Sequence, residues 1–466
     1  MFVRLCSLFP AFQSVSGEQR LNSVVRAFSG GVGCDSLSDM RLPSVDPTKP
    51  PPGPFGQDFW RSPLRGPWLT AVLGLVLLVG LPIVIVTGLL SNDAYQPGLG
   101  ANALRRDISG PFDFYLFGWP TQPSWLYALT QGLHVSIGLA LVPVLLAKLW
   151  SVIPRLFEWP PIRDPAHVLE RLSLALLVGS ALFEFVTGII NIQYWYAFNF
   201  SFTQAHYYGA WMFIGAFLAH IALKFKTMRR SLTSRAEVLE AVEAETASLK
   251  SHAGASLTAR SPSPATMSRR ALLGTVGVGS VLLLIQSAGQ SVGGPFRALA
   301  FLLPRGRTRP GLLGFPVNKT ALAAGISAPS VGTSWRLHLA GEQTVSLSRE
   351  QLLGLPQHTY DLPIACVEGW STTQRWSGVR LRDLASLCAI QGPATVTTQS
   401  LERGIFGHAT LGHEQVADDR SLLALCVNGL DLSFDHGYPA RVICPAVPGV
   451  HCTKWVSEMT FHSVTG

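Results

Sequence analysis

The chain has 466 residues, of which 48% are hydrophobic and 14% are charged, and its mean hydropathy of +0.29 excludes an ordinary soluble protein. The net charge of +8 does not indicate nucleic-acid binding, because Lys and Arg concentrate beside the apolar runs, where the positive-inside rule expects them. The seven cysteines form neither CxxC nor CxxCH, which argues against a zinc ribbon or an attached c-type haem.

The N-terminal segment, residues 1–60, is rich in Gly, Ser and Pro and includes LPSVDPTKPPPGPFG, so we expect it to be disordered and cytoplasmic. It lacks an apolar run of signal-peptide length beside a basic start. Because Met40 begins a compact lead-in to the first apolar run, we expect translation to start there.

Four nearly uncharged runs follow, and each is long enough to cross a hydrocarbon core of about 30 Å as a helix. They cover approximately residues 67–90, 125–147, 172–190 and 205–223. If the helices alternate in direction, the basic loop residues fall on one side, which the positive-inside rule assigns to the cytoplasm. We therefore expect an all-α transmembrane four-helix bundle over residues 61–230, in contact with membrane lipid.

Four histidines lie in or beside these runs, and a histidine in hydrocarbon is costly enough to mark a functional site. His206 and His220 are 14 residues apart on one predicted helix, which places them within about 40° of one face and about 21 Å apart along the axis. That spacing suits two haems, with His134 opposite His206 and His167 opposite His220. Two imidazole ligands make an electron carrier, because no iron position stays open. The alternative is that these side chains hydrogen-bond between helices.

This region resembles the b-type cytochromes of respiratory formate dehydrogenases and nickel-iron hydrogenases, whose last helix also supplies two haem ligands at this spacing. The resemblance covers about residues 60–230 and implies two b haems that exchange electrons with the quinone pool. The sequence departs from that family because the first predicted helix has no histidine. Glu184, in FEFVTGI, is a candidate proton acceptor in quinol chemistry, and a protonated carboxyl bonded inside the bundle is the alternative.

A polar linker over residues 231–267 leads to a fifth apolar run, Ala271 to Gln290, which has roughly the 20 residues that a spanning helix needs. Arg269 and Arg270 stand directly before it, so residues 268–290 are predicted to form a fifth transmembrane helix. The arginine pair is either a cytoplasmic charge anchor or an address for the twin-arginine export route.

After the fifth run the pattern changes to short strands and turns, which predicts an α+β domain over residues 312–466. Strands are expected in SWRLHLAG, HTYDLPIACV, ATVTTQS and ARVICPAV. Helices are expected at the capping-box sequence SREQLLGL and in DDRSLLALCV. The strand in HTYDLPIACV ends at Cys366 and runs into a polar loop. Taken alone, such a cysteine is usually a buried small hydrophobe.

Four motifs in one order, CVEGW, WSG, HGYPAR and GVHCTKW, resemble the molybdopterin-dependent oxidoreductases of the sulfite oxidase fold, and most closely their periplasmic methionine sulfoxide reductase branch. The resemblance covers about residues 312–466. It implies that Cys366 is the catalytic thiolate on molybdenum, since a soft sulfur ligand suits a redox metal. It also implies cofactor contacts from Asn318, Ala321, Leu322, Ser400, His436, Arg441, Cys452, Thr453 and Lys454.

One of these expected contacts has a clear chemical reason, and two depart from the pattern of the family branch. Arg441 offers a guanidinium fork that suits the pterin phosphate. Ser400 departs from the branch, because its spacing from Cys366 is one residue short. His436 stands where the branch has Asn, so an altered pterin contact is expected there.

The sequence as a whole predicts a membrane-bound oxidoreductase in which a molybdenum–molybdopterin site outside the membrane exchanges electrons with a small substrate. Haem b groups then pass the electrons to or from quinone. Oxygen-atom transfer is the expected reaction, as sulfoxide or N-oxide reduction or as sulfite-like oxidation. One alternative is a haem electron-transfer or sensing protein with a non-catalytic soluble domain. A transporter fits poorly, because the five runs show no inverted repeat.

The expected location of the C-terminal domain outside the membrane helps to choose between the two interpretations of Arg269 and Arg270. Molybdenum cofactor is inserted into a folded domain in the cytoplasm, so this domain would have to cross the membrane already folded. We therefore expect SRRALLG to be an internal twin-arginine signal that remains as a membrane anchor.

Overall fold

The computed structural model describes residues 50–102, 117–159, 164–193, 200, 202–244, 259, 261–303, 313–404 and 406–464. The expectations for the N-terminal segment, including Met40, fall outside the described residues as far as residue 49. Most of the linker between residues 245 and 260 also lies outside them.

Within the described part of the chain, five helices are long and apolar enough to cross a membrane. They are α1 (Pro67–Ala94), α2 (Leu126–Leu156), α3 (Pro165–Ile192), α4 (Phe202–Ala244) and α5 (Arg269–Val292). The five predicted helical runs are confirmed, and each helix extends beyond its apolar run. The extension is greatest in α4, which continues through the first part of the polar linker.

The helices pack along leucine-rich faces. On α1, Leu69, Leu73 and Leu77 recur at a spacing of four, which places them on one face against α2. The two helices come very close at Gly80, where a Cβ atom would lie 2.8 Å from Leu141. The backbone of α1 therefore packs directly on side chains of α2.

The start of α5 is fastened to the segment just before α1. Arg269 Nε donates a hydrogen bond to Leu64 O at 3.0 Å, and the Ser268 side chain caps the helix by accepting from Ala271 N. The N-terminal ends of α1 and α5 therefore lie at the same end of the bundle. We call this the distal end, and the opposite end, at Ala94, Leu126 and Val292, the proximal end.

In the described residues from 313 onward, the C-terminal domain contains ten strands and three short helices. The strands are β1 (Leu337–Ala340), β2 (Thr344–Leu347), β3 (His358–Ala365), β4 (Ser371–Arg380), β5 (Ala394–Ser400), β6 (His408–Leu411), β7 (Leu422–Val427), β8 (Leu430–Asp431), β9 (Arg441–Ile443) and β10 (Val456–Ser463). The helices are α6 (Arg349–Leu353), α7 (Leu381–Leu387) and α8 (His413–Ala417). One sheet has the order β2-β1-β10-β5-β6; the other has the order β3-β4-β7-β8, with β9 beside β7.

The local predictions for this domain are confirmed with one exception. The four predicted strands are present as β1, β3, β5 and β9. The capping box is also present, because Ser348 and Gln351 exchange side-chain to backbone hydrogen bonds at the start of α6. The helix predicted in DDRSLLALCV is wrong: its apolar part is strand β7, paired on both sides with β4 and β9. A continuous apolar run has no period that separates a buried strand from a buried helix.

The C-terminal domain packs directly on the proximal end of the bundle. Trp119, in the segment before α2, is fully buried and donates its indole N–H to Ala446 O at 2.6 Å. Asn102, beyond α1, makes two side-chain hydrogen bonds of 2.8 Å with the backbone of Thr410. The loop after β3 also meets the helices, through a hydrogen bond from Gln131 Nε2 of α2 to Val367 O.

Candidate active site

Five of the predicted site residues line one pocket of the C-terminal domain. Phe315, Trp370 and Asp435 complete much of its wall. The predicted residues are Asn318, Cys366, His436, Arg441 and Lys454. They come from separate stretches of the chain, so the fold gathers the chemistry that the motifs carry separately.

Cys366 is held by a tight turn at the end of β3. Its N–H donates to Trp370 O at 3.0 Å, and Gly369 N donates back to Cys366 O at 2.9 Å. Strands β3 and β4 pair as far as Ala365 and Ser371, which anchors the base of the turn. Gly369 has φ +83° and meets Val135 of α2 so closely that a Cβ atom would lie 2.8 Å from it. The turn therefore requires glycine, and it directs the half-buried thiol into the pocket.

Arg441, at the start of β9, is a buried cation with an unfilled donor. Its Nη1 donates to His436 O at 3.2 Å, whereas Nε has no hydrogen-bond partner among the described residues. Burial lowers the pKa of the guanidinium to about 10, although the nearby Cys452 and Cys366 thiols favour its charge. A buried donor of this kind fits an anionic group such as the phosphate of a pterin cofactor.

Lys454 supplies a second cation to the pocket. Its ammonium group donates to Lys319 O and to Asp435 O and lies 4.2 Å from the centre of the Trp455 ring. Burial, and then the charge of Arg441, lower the pKa of Lys454 to about 7. The carbonyl groups fix the position of the ammonium group without neutralising it, so it also fits a phosphate.

His436 forms part of the pocket wall as a neutral ring. Its Nδ1 lies 2.6 Å from Ser433 Oγ, and its Nε2 lies 3.3 Å from Phe315 O. Burial, and then Arg441, lower the pKa of this imidazole to about 4. Because both ring nitrogens have partners within the protein, a pterin contact by His436 would have to use the face of the imidazole ring. That contact stays a prediction.

Ala321 and Ser400 act behind the pocket. Ala321 N donates to Asp435 Oδ1 at 2.8 Å and so orients a wall residue. Ser400 Oγ, expected to contact the cofactor, instead donates to Lys454 O at 2.7 Å. The structure therefore gives this hydroxyl the role of fixing the Lys454 backbone.

The remaining predicted contacts differ in their burial. Cys452 and Thr453 are buried, and Thr453 Oγ1 lies 2.9 Å from Thr398 Oγ1, so both support the strand that leads to Lys454. The structure does not bring the Leu322 side chain to the pocket, because it is 88% exposed. The motif spacing located the segment but not the direction of this side chain.

Sequence reasoning did not single out Glu368, although the CVEGW motif contains it. Its buried carboxyl group lies with Oε1 3.4 Å from Cys366 Sγ, and Oε2 accepts from Trp370 Nε1 at 2.9 Å. Burial raises the pKa of Glu368 to about 9, so the group is protonated at neutral pH. The sequence did contain a signal for it, because Glu368 is an acidic residue directly after a predicted buried strand and inside the CVEGW motif.

A second cluster lies inside the bundle, where His134 and His206 face each other. Their ring centroids are 6.1 Å apart and the ring planes are perpendicular, at 89°. His134 Nδ1 lies 2.9 Å from Val84 O, whereas His206 Nδ1 lies 3.0 Å from Thr187 Oγ1 and 3.1 Å from Glu184 Oε2. Metal-bound histidines usually use one nitrogen in this way, which leaves the two Nε2 atoms as the positions that suit iron.

The structure does not bring His167 to the level of His220. An ion pair between Glu170 and Lys224 fixes the antiparallel register of α3 and α4. His167 lies three residues on the distal side of Glu170, and His220 lies four residues on the proximal side of Lys224. At 1.5 Å per residue the two histidines are therefore separated by about 10 Å along the bundle.

The family match lies in the C-terminal domain. Residues 326–465 match the family described as "Oxidoreductase molybdopterin binding domain". Mitochondrial sulfite oxidase of Mus musculus is 30% identical over 162 residues, which cover 28% of this chain and 29% of that protein. The uncharacterized oxidoreductase YuiH of Bacillus subtilis (strain 168) is 30% identical over 132 residues, which cover 28% of this chain and 66% of that protein.

Among solved structures, the crystal structure of the sulfane dehydrogenase SoxCD from Paracoccus pantotrophus is 23% identical, with a TM-score of 0.27. The match covers 28% of this chain and 39% of that chain. The chain thus spans less than a third of the mouse enzyme and 66% of YuiH.

Proposed function

Since residues 326–465 are a molybdopterin-binding oxidoreductase domain of the sulfite oxidase family, we propose that the whole chain is a membrane-bound molybdenum oxidoreductase. One observation carries the proposal. A strand-end thiol, Cys366, shares a pocket with two cations, Arg441 and Lys454. This set of donors suits a metal joined to an anionic organic cofactor.

Each pocket residue then has a distinct task. Cys366 would hold the molybdenum as a thiolate, while Arg441 and Lys454 would hold the pterin phosphate. The bound cofactor supplies a metal that gains or loses an oxygen atom as its oxidation state changes by two. Trp370 and His436 would form uncharged parts of the pocket wall. Glu368 is protonated at neutral pH, so it adds no second negative charge beside the Cys366 thiolate.

The substrate class that we propose is a small molecule with an oxygen atom on sulfur or nitrogen. Similarity to mitochondrial sulfite oxidase favours a sulfite-like substrate that is oxidised. The order of the four motifs instead favours a sulfoxide or N-oxide that is reduced. Both directions use the same pocket residues.

We further propose that His134 and His206 bind one b haem and that electrons pass through it, one at a time, to or from quinone. The facing imidazoles, with their Nδ1 atoms engaged by the protein, support this proposal. His220 is proposed as a ligand of a second haem, with an axial partner other than His167. A haem supplies the one-electron steps that join a two-electron site to the membrane pool.

The proposed orientation places the proximal end and the C-terminal domain outside the cytoplasm. It rests on the basic loops at the distal end and on an outward-running α5. We propose that Arg269 and Arg270 form a retained twin-arginine signal. Replacing both by Lys should strand the domain in the cytoplasm while haem still assembles, as tested by protease access to intact spheroplasts. A domain that still reaches the outer face would make the pair a charge anchor only.

The proposed function is tested on the purified full chain. We expect molybdenum and haem iron in it, a b-type reduced-minus-oxidised spectrum, and reoxidation of the haem by a sulfoxide or N-oxide or reduction by sulfite. A quinol analogue should reduce the same haem. Protein that contains haem but no molybdenum, and that Cys366→Ser leaves unchanged, would instead be an electron-transfer or sensing protein.

A further inference from the structure

The site loop, residues Cys366–Trp370, is fastened to the membrane helices at three successive carbonyl groups. Gln131 Nε2 of α2 donates to Val367 O at 2.6 Å. Gln290 Nε2 of α5 donates to Glu368 O at 3.2 Å, and Ser291 Oγ of α5 donates to Gly369 O at 2.5 Å. The helices thus hold the backbone that carries the proposed molybdenum ligand.

The two glutamines are closely matched. Gln131 is 5% exposed and Gln290 is 2% exposed, and each gives one amide N–H to a carbonyl of the site loop. They differ in what their own helix carries. Gln131 lies three residues, about 4.5 Å along the axis, before His134 on α2. Among the described residues of α5, none is a histidine or a cysteine.

The site loop also touches α2 directly beside His134. A Cβ atom on Gly369 would lie 2.8 Å from the Val135 side chain, and Val135 follows His134 in the chain. Ala365, just before the loop, packs in one cluster with Tyr127 of the same helix. The contact between the loop and α2 therefore extends over the two helical turns that lead to His134.

We propose that the hydrogen bond from Gln131 to Val367 O is the main electronic link between the molybdenum site and the haem held by His134 and His206. This inference rests on the proposed function. The route runs from Cys366 through one peptide unit to Val367 O, across the hydrogen bond, and along α2 to His134. In each transfer one electron leaves one metal as the other metal gains it, and two transfers complete the two-electron reaction. Gln131 is thus a positioning residue that couples the sites through a buried hydrogen bond, which low polarity strengthens.

The test compares Gln131→Leu with Gln290→Leu in the purified full chain containing both cofactors. Each variant removes one amide donor and leaves one buried carbonyl of the site loop without it. After flash reduction of the haem, its reoxidation by the molybdenum site is followed in the visible spectrum. We expect Gln131→Leu to slow this transfer several-fold more than Gln290→Leu does, because only the first change interrupts the route to His134. The haem spectrum, the haem potential and the molybdenum EPR signal should stay the same in both variants.

Three outcomes overturn the inference. Equal slowing in both variants shows that the contacts only steady the loop, and an unchanged rate in Gln131→Leu shows that electrons take another route. If Gln131→Leu lowers the cofactor content, Gln131→Met keeps the side-chain length without the amide donor and should slow the transfer to the same extent. An unchanged rate in Gln131→Met counts equally against the link. Wild-type protein that lacks molybdenum or haem refutes the proposed function before any rate is measured, so the two failures are distinct.

Discussion

Replacing Arg441 by Met should change the stability of the cofactor-free protein and the binding of the cofactor in opposite directions. Burial lowers the pKa of the guanidinium from its ordinary value of 12.5 to about 10. For a base, a lowered folded-state pKa opposes folding at every pH below that value. The opposition is relieved only as pH rises above about 10. The pKa difference between the unfolded and folded states corresponds to a destabilisation of about 3 kcal/mol. The substitution removes this cost but also removes the hydrogen bond to His436 O, which stabilises the fold by about 1 kcal/mol.

We therefore expect Arg441→Met to raise the free energy of unfolding of the cofactor-free protein by about 2 kcal/mol at pH 7. Cofactor binding should weaken, because the phosphate loses a buried charged partner worth about 3–5 kcal/mol. That loss corresponds to a decrease in affinity of roughly 10²- to 10⁴-fold.

The assays are denaturant unfolding of the full chain made without molybdenum cofactor, and molybdenum per protein after dialysis of the loaded form. Arg375→Met is the control, because the Arg375 side chain is 66% exposed beside an exposed Asp361 and should change stability by less than about 0.5 kcal/mol. A cofactor-free Arg441→Met protein that is less stable than wild type would refute the desolvation argument. Molybdenum retained at the wild-type level would refute the assignment of Arg441 to the phosphate.

Further predictions concern the other groups of the two sites. Cys366→Ser should remove one sulfur from the molybdenum coordination seen by X-ray absorption and abolish turnover, with the haem spectrum intact; retained turnover contradicts this. His134→Ala and His206→Ala should each abolish the same haem absorption band, and loss in only one variant contradicts a shared iron. Glu184→Leu should raise the potential of that haem, because His206 Nδ1 loses a hydrogen-bond partner that increases the basicity of the imidazole as a ligand; an unchanged redox titration contradicts this. Cofactor retention should fall as pH rises through about 7, where Lys454 loses its charge, and Lys454→Arg should flatten that profile in dialysis at graded pH.

The sequence allowed the spanning helices and several strands to be predicted, because length and apolar periodicity are local properties. It also located Cys366 at a strand end, where the structure has it. Strand β7 was missed because LLALCV is apolar throughout and carries no period. Leu322 and Ser400 were assigned from motif spacing, which gives the position of a residue along the chain but not the direction of its side chain.

The histidines also show which features are local and which depend on the fold. The spacing of 14 residues between His206 and His220 places both on one face of a helix whatever the rest of the chain does. Which histidine meets which depends on the register of neighbouring helices, which packing sets. That register joins His134 to His206 and leaves His167 about 10 Å from the level of His220.

The sequence by itself determined the division into an apolar helical half and a mixed domain, since both follow from composition and short-range pattern. It also determined the identity of the thiol and the cations of the pocket. Only the tertiary structure decided that Arg441 is buried with an unfilled donor and that Glu368 lies beside Cys366. It alone decided that Gln131 reaches the loop of the catalytic domain, because that contact joins residues 236 positions apart, and no local pattern encodes it.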